Sequence, residues 1–338
     1  MEKKEVMKIL ITGANGFVGS NLCRHFLNKG WDVYGLVRRT SDLHFLKNLD
    51  LKLICGDLLY PEKIEIPDDI GYVIHSASLV SDTADVDMCH KNIYLLAVNL
   101  VRKILSLPRL PRRLVYISTA LTLGFNGLNI SEERPGESAQ FFAYTRSKLK
   151  TEEYFLEQRI KNKLPVVILR PGDVYGPNDR TTCARLLRLC ERGVPLIAGH
   201  GNWRFGFCYI DNLCQAVDLA LLKEGIEGRA YSVSNNVLPT WRIFFSGLQK
   251  GLHKKQRIYV PVWFALSLAG LIENLNKIFP RYDPPLTRYR IKRITSDTTY
   301  DISRTIAELG YEPDNRTEHQ IGEIVSWYLK ERRDGYIK

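Results

Sequence analysis

A doubly wound α/β fold, with a parallel sheet between two helical layers and a smaller carboxyl-terminal lobe, is predicted by three features of the 338-residue chain. Short apolar runs alternate with helical segments through the first two thirds. A glycine-rich turn joins the first run to the first helix, and the alternation breaks down after Pro171. Runs that are apolar on both faces belong to a parallel sheet covered on both sides, and the doubly wound arrangement connects them by right-handed crossovers without further assumptions.

The strand-like runs are 8–12, 32–37, 51–55, 72–75, 113–118 and 166–170, and helices are expected at 19–30, 89–107 and 144–161. After Pro171 come a Gly/Pro/Asn loop at 172–179, an amphipathic helix at 182–192 and a short strand ending Tyr209-Ile210-Asp211. A helix at 212–222, a strand at 230–233, a helical segment after Thr240 and an amphipathic helix at 262–279 complete the pattern. No internal repeat or low-complexity linker interrupts the chain, so the last segments are expected to form a lobe rather than an independent domain.

Composition narrows the class. The chain is 45% hydrophobic and 25% charged, with mean hydropathy −0.18, which describes a core-forming protein and excludes disordered, collagen-like and disulfide-scaffold chains. The apolar stretch 259–272 contains a Pro, a Ser and a Gly and falls short of the roughly 18–20 residues that cross a bilayer. Lys3, Lys4 and Lys8 precede an apolar run, but it breaks at Thr12-Gly13, too early for a secretory leader. Seven cysteines (Cys23, Cys55, Cys89, Cys183, Cys190, Cys208, Cys214) form an odd set with no CxxC pair and no His at zinc spacing. They read as reduced thiols, so no metal site and a cytoplasmic location are expected.

The net charge of +11 could suggest nucleic acid. Its densest groups, Arg109, Arg112 and Arg113, then Arg288, Arg290, Lys292 and Arg293, carry no helix-turn-helix, zinc-finger or aromatic-interleaved pattern. A solvated basic face favouring anionic ligands is expected, without a nucleic-acid partner.

The first strand ends in Thr12-Gly13-Ala14-Asn15-Gly16-Phe17-Val18-Gly19 and runs into a helix. Glycines at 13, 16 and 19 permit a tight turn, close backbone approach to a pyrophosphate, and tight helix-on-strand packing, with the helix amino terminus toward the phosphates. Dinucleotide binding is therefore expected from residues 1–175, with 205–235 returning to that half, while 176–204 and 236–338 form mainly the substrate-binding lobe. The second strand ends Val37-Arg38-Arg39-Thr40-Ser41 without the acid that suits NAD. Two guanidiniums there suit a 2′-phosphate, so NADP(H) is preferred with NAD(H) as the alternative. Asp57, after the third strand, is a candidate partner for the adenine amino group.

The strand at 113–118 leads into Thr119, and Tyr144 and Lys148 lie one turn apart on a helical face. An adjacent ammonium and a positive nicotinamide ring would bring the phenol into working range as an acid/base, with Thr119 orienting the substrate oxygen.

At these residues the sequence resembles the extended short-chain dehydrogenase/reductase family, in the broad group labelled NAD-dependent epimerase/dehydratase. The resemblance covers nearly the whole chain. It rests on Thr12 to Gly19, Gly56-Asp57-Leu58, His75-Ser76-Ala77-Ser78, Tyr116-Ile117-Ser118-Thr119 with Gly124, Tyr144 to Lys148, Arg170 to Pro177, and Tyr209-Ile210-Asp211-Asn212. It implies a Rossmann sheet, a Thr119-Tyr144-Lys148 triad, and Lys148 on the nicotinamide ribose. The implied cofactor surface consists of Gly13, Asn15, Gly16, Phe17, Val18, Gly19, Arg38, Arg39, Asp57, Leu58, Ser76, Ala77, Ser78, Tyr144 and Lys148, with Pro171 and Val174 near the nicotinamide amide. A homodimer through 89–107 and 144–161 is the family habit.

The family contains nucleotide-sugar epimerases and dehydratases as well as reductases and dehydrogenases of hydrophobic substrates. Sugar-nucleotide members commonly have Asn at Asp173 and a basic residue at Phe205, with Arg204 here one position off. An acid with no cation to offset it would repel a diphosphate. The expectation is thus an oxidoreductase interconverting a carbonyl and a secondary alcohol on a rather hydrophobic small molecule. Its flavour is that of the dihydroflavonol-reductase-like and 3β-hydroxysteroid-dehydrogenase-like members, whose similarity extends to Thr240 to Phe245 and Pro284-Pro285-Leu286-Thr287. The alternative is a nucleotide-sugar epimerase or dehydratase with retained NAD(P), and a cofactor-sensing regulator would have lost the triad. For 260–279, ordinary lobe packing is favoured over a substrate lid or a weak peripheral contact with an anionic membrane.

Overall fold

The computed structural model describes residues 6–194, 197–254, 259–278 and 286–337. Lys3, Lys4, Phe279, Pro284 and Pro285 lie outside the described residues. The chain begins β1 (Lys8–Thr12), α1 (Phe17–Asn28), β2 (Asp32–Val37), β3 (Lys52–Cys55), β4 (Tyr72–His75), α2 (Val86–Cys89), α3 (Leu95–Leu105) and β5 (Arg113–Ile117). It continues β6 (Gly127–Ile130), α4 (Ala143–Asn162), β7 (Val166–Pro171), β8 (Asp173–Tyr175), α5 (Cys183–Glu191), β9 (Ile197–Ala198), β10 (Phe207–Tyr209) and α6 (Ile210–Leu222). The last elements are β11 (Ala230–Val233), α7 (Trp241–Gly251), β12 (Tyr259–Val260), α8 (Val262–Ile278), α9 (Arg288–Ile294), β13 (Thr298–Tyr300), α10 (Ser303–Leu309) and α11 (Thr317–Arg333).

Seven strands form the parallel sheet in the order β11-β7-β5-β4-β1-β2-β3. All six strand-like runs of the first two thirds are in it, within a residue of their expected ends. Alternate residues of each strand feed two cores. Ile9 and Ile11 of β1, with Val115 of β5, meet Leu22 and Phe26 of α1 and Leu213 and Val217 of α6. Leu10, Leu114 and Tyr116 face the other way, onto Leu100 and Ile104 of α3 and Phe155 of α4. Such two-sided burial is the reason these strands read as continuous apolar runs.

Differences lie where elements are short. The expected helix 89–107 starts earlier, at α2, and passes through a π-turn at His90–Tyr94 before α3. That turn frees the Asn92 carbonyl to accept from the Leu79 amide at 3.1 Å, tying the helix to the loop after β4. The expected loop 172–179 contains β8, which pairs in parallel with β10. β6 pairs with β13 across a long sequence separation. Strands of three or four residues show no periodicity from which to read them. At the end of the chain, α10 packs on β11 and α6, and α11 on α7 and α5.

Helix α8 departs from ordinary lobe packing. It buries its small residues, Ala265 and Ala269, with Val262 and Leu266, against Ile291 of α9 and Ala198 of β9. Its large apolar side chains, Trp263 at 69% exposure and Leu271 at 57%, with Phe264, Leu268 and Leu275, face outward. Among the described residues no helix is long and apolar enough to cross a membrane.

Candidate active site

The sheet order reverses between β1 and β4, and a cleft of about 420 Å³ opens there at the strand ends, the position at which open α/β sheets bind ligands. Gly13, Asn15, Gly16, Arg38, Asp57, Leu58, Ser76, Ala77 and Ser78 of the expected cofactor set line it. Arg39 is exposed beside it. Phe17, Val18 and Gly19 form the start of α1 behind the turn, while Pro171 and Val174 belong to β7 and β8, outside this cleft. Leu36, Val37, Ser41, Met88, Asn92 and Leu96 also line it. Met88, Asn92 and Leu96 are spaced by four across the π-turn, a pattern that in sequence is indistinguishable from core packing.

The turn leaves room for a bound group and for nothing on its own backbone. Gly13 has φ +67°, and a Cβ there would lie 2.8 Å from the Ala77 Cα. A Cβ on Gly19 would lie 2.1 Å from the Gly13 carbonyl oxygen. Helix α1 starts from Gly16 with no side-chain cap, so its first amides are available to an anion. Donor-rich turn, helix terminus and the cleft beside them fit a dinucleotide.

β1 and β4 are cross-linked beneath the turn. The Ala77 amide donates to the Thr12 hydroxyl at 3.2 Å, the Ser76 hydroxyl donates to the Thr12 carbonyl at 2.6 Å, and Thr12 Oγ1 meets His75 Nδ1 at 2.9 Å. His75 is buried, and burial, reinforced by the Lys148 charge, pushes its pKa down to about 3. The neutral ring can therefore accept from Thr12. Leu58 is positioned from the other side, its carbonyl accepting from Asn99 Nδ2 at 2.7 Å.

Thr119, Tyr144 and Lys148 converge where β5 ends against the first turns of α4. Lys148 is buried and donates to the Ile117 carbonyl at 2.8 Å, and its ammonium lies 6.0 Å from the Tyr144 ring centre. Burial pushes its pKa down to about 7, with Glu152 one turn further along α4 acting in the opposite sense. Burial also holds the Tyr144 phenol above its ordinary value, opposed by a hydrogen bond with Thr119 and reinforced by Asp173. The lowering expected from an adjacent ammonium is thus not expressed in the protein by itself, where burial sets the direction.

Glu152 is a site residue that the sequence reading missed. It is buried, accepts from Ser118, and receives Arg170 in a forked pair at 2.6 and 3.0 Å. Its spacing, one turn from Lys148 and two from Tyr144, was a usable signal.

The expectation about Asp173 and Phe205 requires correction. Arg293 of α9, buried, forms an ion pair with Asp173, and its guanidinium carbon lies 4.8 Å over the Phe205 ring. Phe205 is buried among Phe207 and Trp241 rather than lining open space. Asp173 therefore has a cation beside it, from a helix more than a hundred residues away that local sequence could not connect to it. Beside this pair Tyr289 packs on Phe125, Phe141 and Phe142 at centroid distances of 5.4, 5.9 and 4.3 Å, an aromatic wall next to the turn that carries Tyr144. All seven cysteines are free, and only Cys55 is exposed. Among the described residues no metal-binding cluster occurs.

Fold and turn together define an NAD(P)-dependent oxidoreductase of the extended short-chain dehydrogenase/reductase type. The profile of the NAD dependent epimerase/dehydratase family matches residues 9–234, and the chain belongs to that family. It is similar to a 2-alkyl-3-oxoalkanoate reductase of Shewanella oneidensis, with 27% identity over 91% of this chain and 82% of that one. It is also similar to a decarboxylating sterol-4-alpha-carboxylate 3-dehydrogenase of Candida albicans, with 26% identity over 96% of this chain and 98% of that one. Among solved structures, UDP-glucuronic acid 4-epimerase from Bacillus cereus, in complex with UDP-glucuronic acid and NAD, shares the fold. Its TM-score is 0.74 at 22% identity, covering 96% of this chain and 99% of that one.

Proposed function

We propose that this oxidoreductase interconverts a carbonyl and a secondary alcohol on a hydrophobic small molecule, with Tyr144 moving the proton at the substrate oxygen. The observation that carries the reading is the convergence of Thr119, Tyr144 and buried Lys148 beside the dinucleotide cleft, next to an aromatic wall. The nicotinamide supplies the hydride donor or acceptor when bound. Thr119 orients the substrate oxygen, the phenol gives up its proton as that oxygen gains charge, and Lys148 compensates the phenolate. A phenol held above its ordinary value is protonated at neutral pH, which suits carbonyl reduction. The named activities of the two relatives, reductase and 3-dehydrogenase, favour this reading over sugar-nucleotide epimerisation.

NADP(H) is the proposed cofactor, with Arg38 at the cleft as the 2′-phosphate contact. The lobe formed by 176–204 and 236–338 is proposed to hold the substrate, and the protein is proposed to act as a cytoplasmic homodimer. Two measurements test the reading together. NADPH oxidation should depend on an aromatic, steroidal or aliphatic ketone, while UDP, GDP and dTDP show no micromolar binding by calorimetry. Arg38→Ala should weaken NADPH at least tenfold while changing NADH little. Tightly retained NAD, or micromolar binding of a nucleoside diphosphate, would move the assignment to an epimerase or dehydratase.

A further inference from the structure

The loop after β2 and the residues after α11 meet in a contact that takes no part in the proposed proton transfer. Gly335, at φ +75°, turns the backbone at the end of α11, and the Tyr336 and Ile337 amides donate back to the Glu331 carbonyl at 2.9 and 3.2 Å. This return lays the Tyr336 ring flat on His44, with 3.5 Å between centroids and 6° between planes, and edge-on to Phe45 at 5.5 Å. Phe45 is buried and also faces Trp327 of α11. Asp42 holds the polar side. One of its oxygens accepts from the Tyr336 hydroxyl and from Arg180 at 2.9 Å, and the other accepts from the His44 amide at 3.0 Å. His44 Nε2 in turn lies 2.6 Å from the Glu331 carboxylate. Asp42 and Arg180 are exposed, and an exposed ion pair alone would hold little; the stacked rings and buried Phe45 make this a firm attachment.

Its position gives the attachment a role. Asp42 directly follows the turn whose residues Arg38 and Ser41 line the dinucleotide cleft. Within that turn the Arg38 amide donates to the Ser41 hydroxyl at 3.0 Å, and the Ser41 amide donates to the Arg38 carbonyl at 2.9 Å. On one side the turn is fixed by β2, paired with β1 and β3. On the other side the fixing begins at Asp42. A turn anchored at one end only would have to be ordered as a ligand engages it, and that ordering weakens binding.

We propose that Tyr336 and Asp42 are positioning residues for the adenosine end of the dinucleotide. By fastening the loop after β2 to α11 they hold the Arg38–Ser41 turn in the form that takes a 2′-phosphate, and so set the preference for NADPH over NADH. This deepens the cofactor reading above and rests on it. It gives a part in cofactor selection to a tyrosine 294 positions from Asp42 in the chain. NADH lacks the phosphate and draws less on the turn, so loosening the attachment acts mainly on NADPH.

Fluorescence titration with NADPH and with NADH tests this in wild type, Tyr336→Ala, Tyr336→Phe, Asp42→Asn, Arg38→Ala and the double variant Tyr336→Ala/Arg38→Ala. Wild type should bind NADPH the more tightly, and Tyr336→Ala should weaken NADPH about fivefold or more while NADH changes less than about twofold. Tyr336→Phe keeps the stack on His44 and loses the bond to Asp42, so its affinity should fall between the two. A role exerted through Arg38 requires that Tyr336→Ala add little to the loss of NADPH affinity in the Arg38→Ala background, a coupling that a general loss of stability would not produce. If Arg38→Ala abolishes the preference while Tyr336→Ala and Asp42→Asn leave it intact, the cofactor reading stands and the positioning role is overturned. Equal weakening of both dinucleotides by Tyr336→Ala in both backgrounds also overturns it. If wild type shows no preference for NADPH, it is the cofactor reading that fails, and the proposal falls with it. Should Tyr336→Ala not fold, Asp42→Asn decides alone, and an unchanged ratio of the two affinities in it overturns the proposal.

Discussion

Tyr144 and Lys148 illustrate two opposite effects of the same desolvation. Burial disfavours the charged form of each, so the phenol rises and the ammonium falls to about 7. Tyr144→Phe removes the proton and leaves the ring in place. Activity should fall about 100-fold or more, with NADPH affinity changed less than about threefold as read by fluorescence titration; retention of a tenth of the activity would contradict acid/base catalysis by this phenol. His75 offers a stability test. Its folded pKa, about 3, lies below the ordinary 6.5, so between these values the unfolded chain binds a proton that the folded ring refuses. Stability should therefore fall as pH drops through that window, by about 1.4 kcal/mol per unit from this group. Urea midpoints of His75→Asn should show a shallower acid slope than wild type between pH 6 and 4, and parallel slopes would refute the assignment.

At the scale of elements, the turn between β1 and α1 is the most constrained. Gly13 combines a positive φ with a 2.8 Å approach to Ala77, and a side chain there would also enter the space a pyrophosphate needs. Left-handed backbone costs a non-glycine residue about 1–2 kcal/mol before any clash. Gly13→Ala should thus weaken NADPH about tenfold or more by calorimetry while the far-ultraviolet dichroism stays that of wild type. An unchanged dissociation constant would mean that the cofactor does not approach this turn.

The molecule as a whole carries +11 charges and presents the large apolar residues of α8 outward. Exposed Lys292 lies on α9, against which α8 packs, while Arg288 of α9 pairs with Glu273 of α8. We propose that this face makes weak contact with an anionic membrane. Wild type should co-sediment with vesicles containing phosphatidylserine but not with phosphatidylcholine alone, and Leu271→Glu should reduce that binding severalfold with little change in thermal midpoint. Equal sedimentation of the two proteins would refute the contact.

The sequence by itself determined the sheet and the glycine turn after β1, because both are local. Ile9, Leu10 and Ile11 are apolar in succession since β1 is buried on both faces, and Gly13, Gly16 and Gly19 are required by a turn only a few residues long. The Tyr144-Lys148 pair was legible for the same reason: one helical turn sets its geometry. Only the tertiary structure decided what stands opposite Asp173. Arg293 reaches it from α9, brought near by the pairing of β13 with β6, and no periodicity encodes a contact across that separation. Likewise, the apolar stripe of α8 reads identically whether buried or exposed. Its outward face was settled by Ala265 and Ala269, whose small side chains let α9 and β9 approach on the other side.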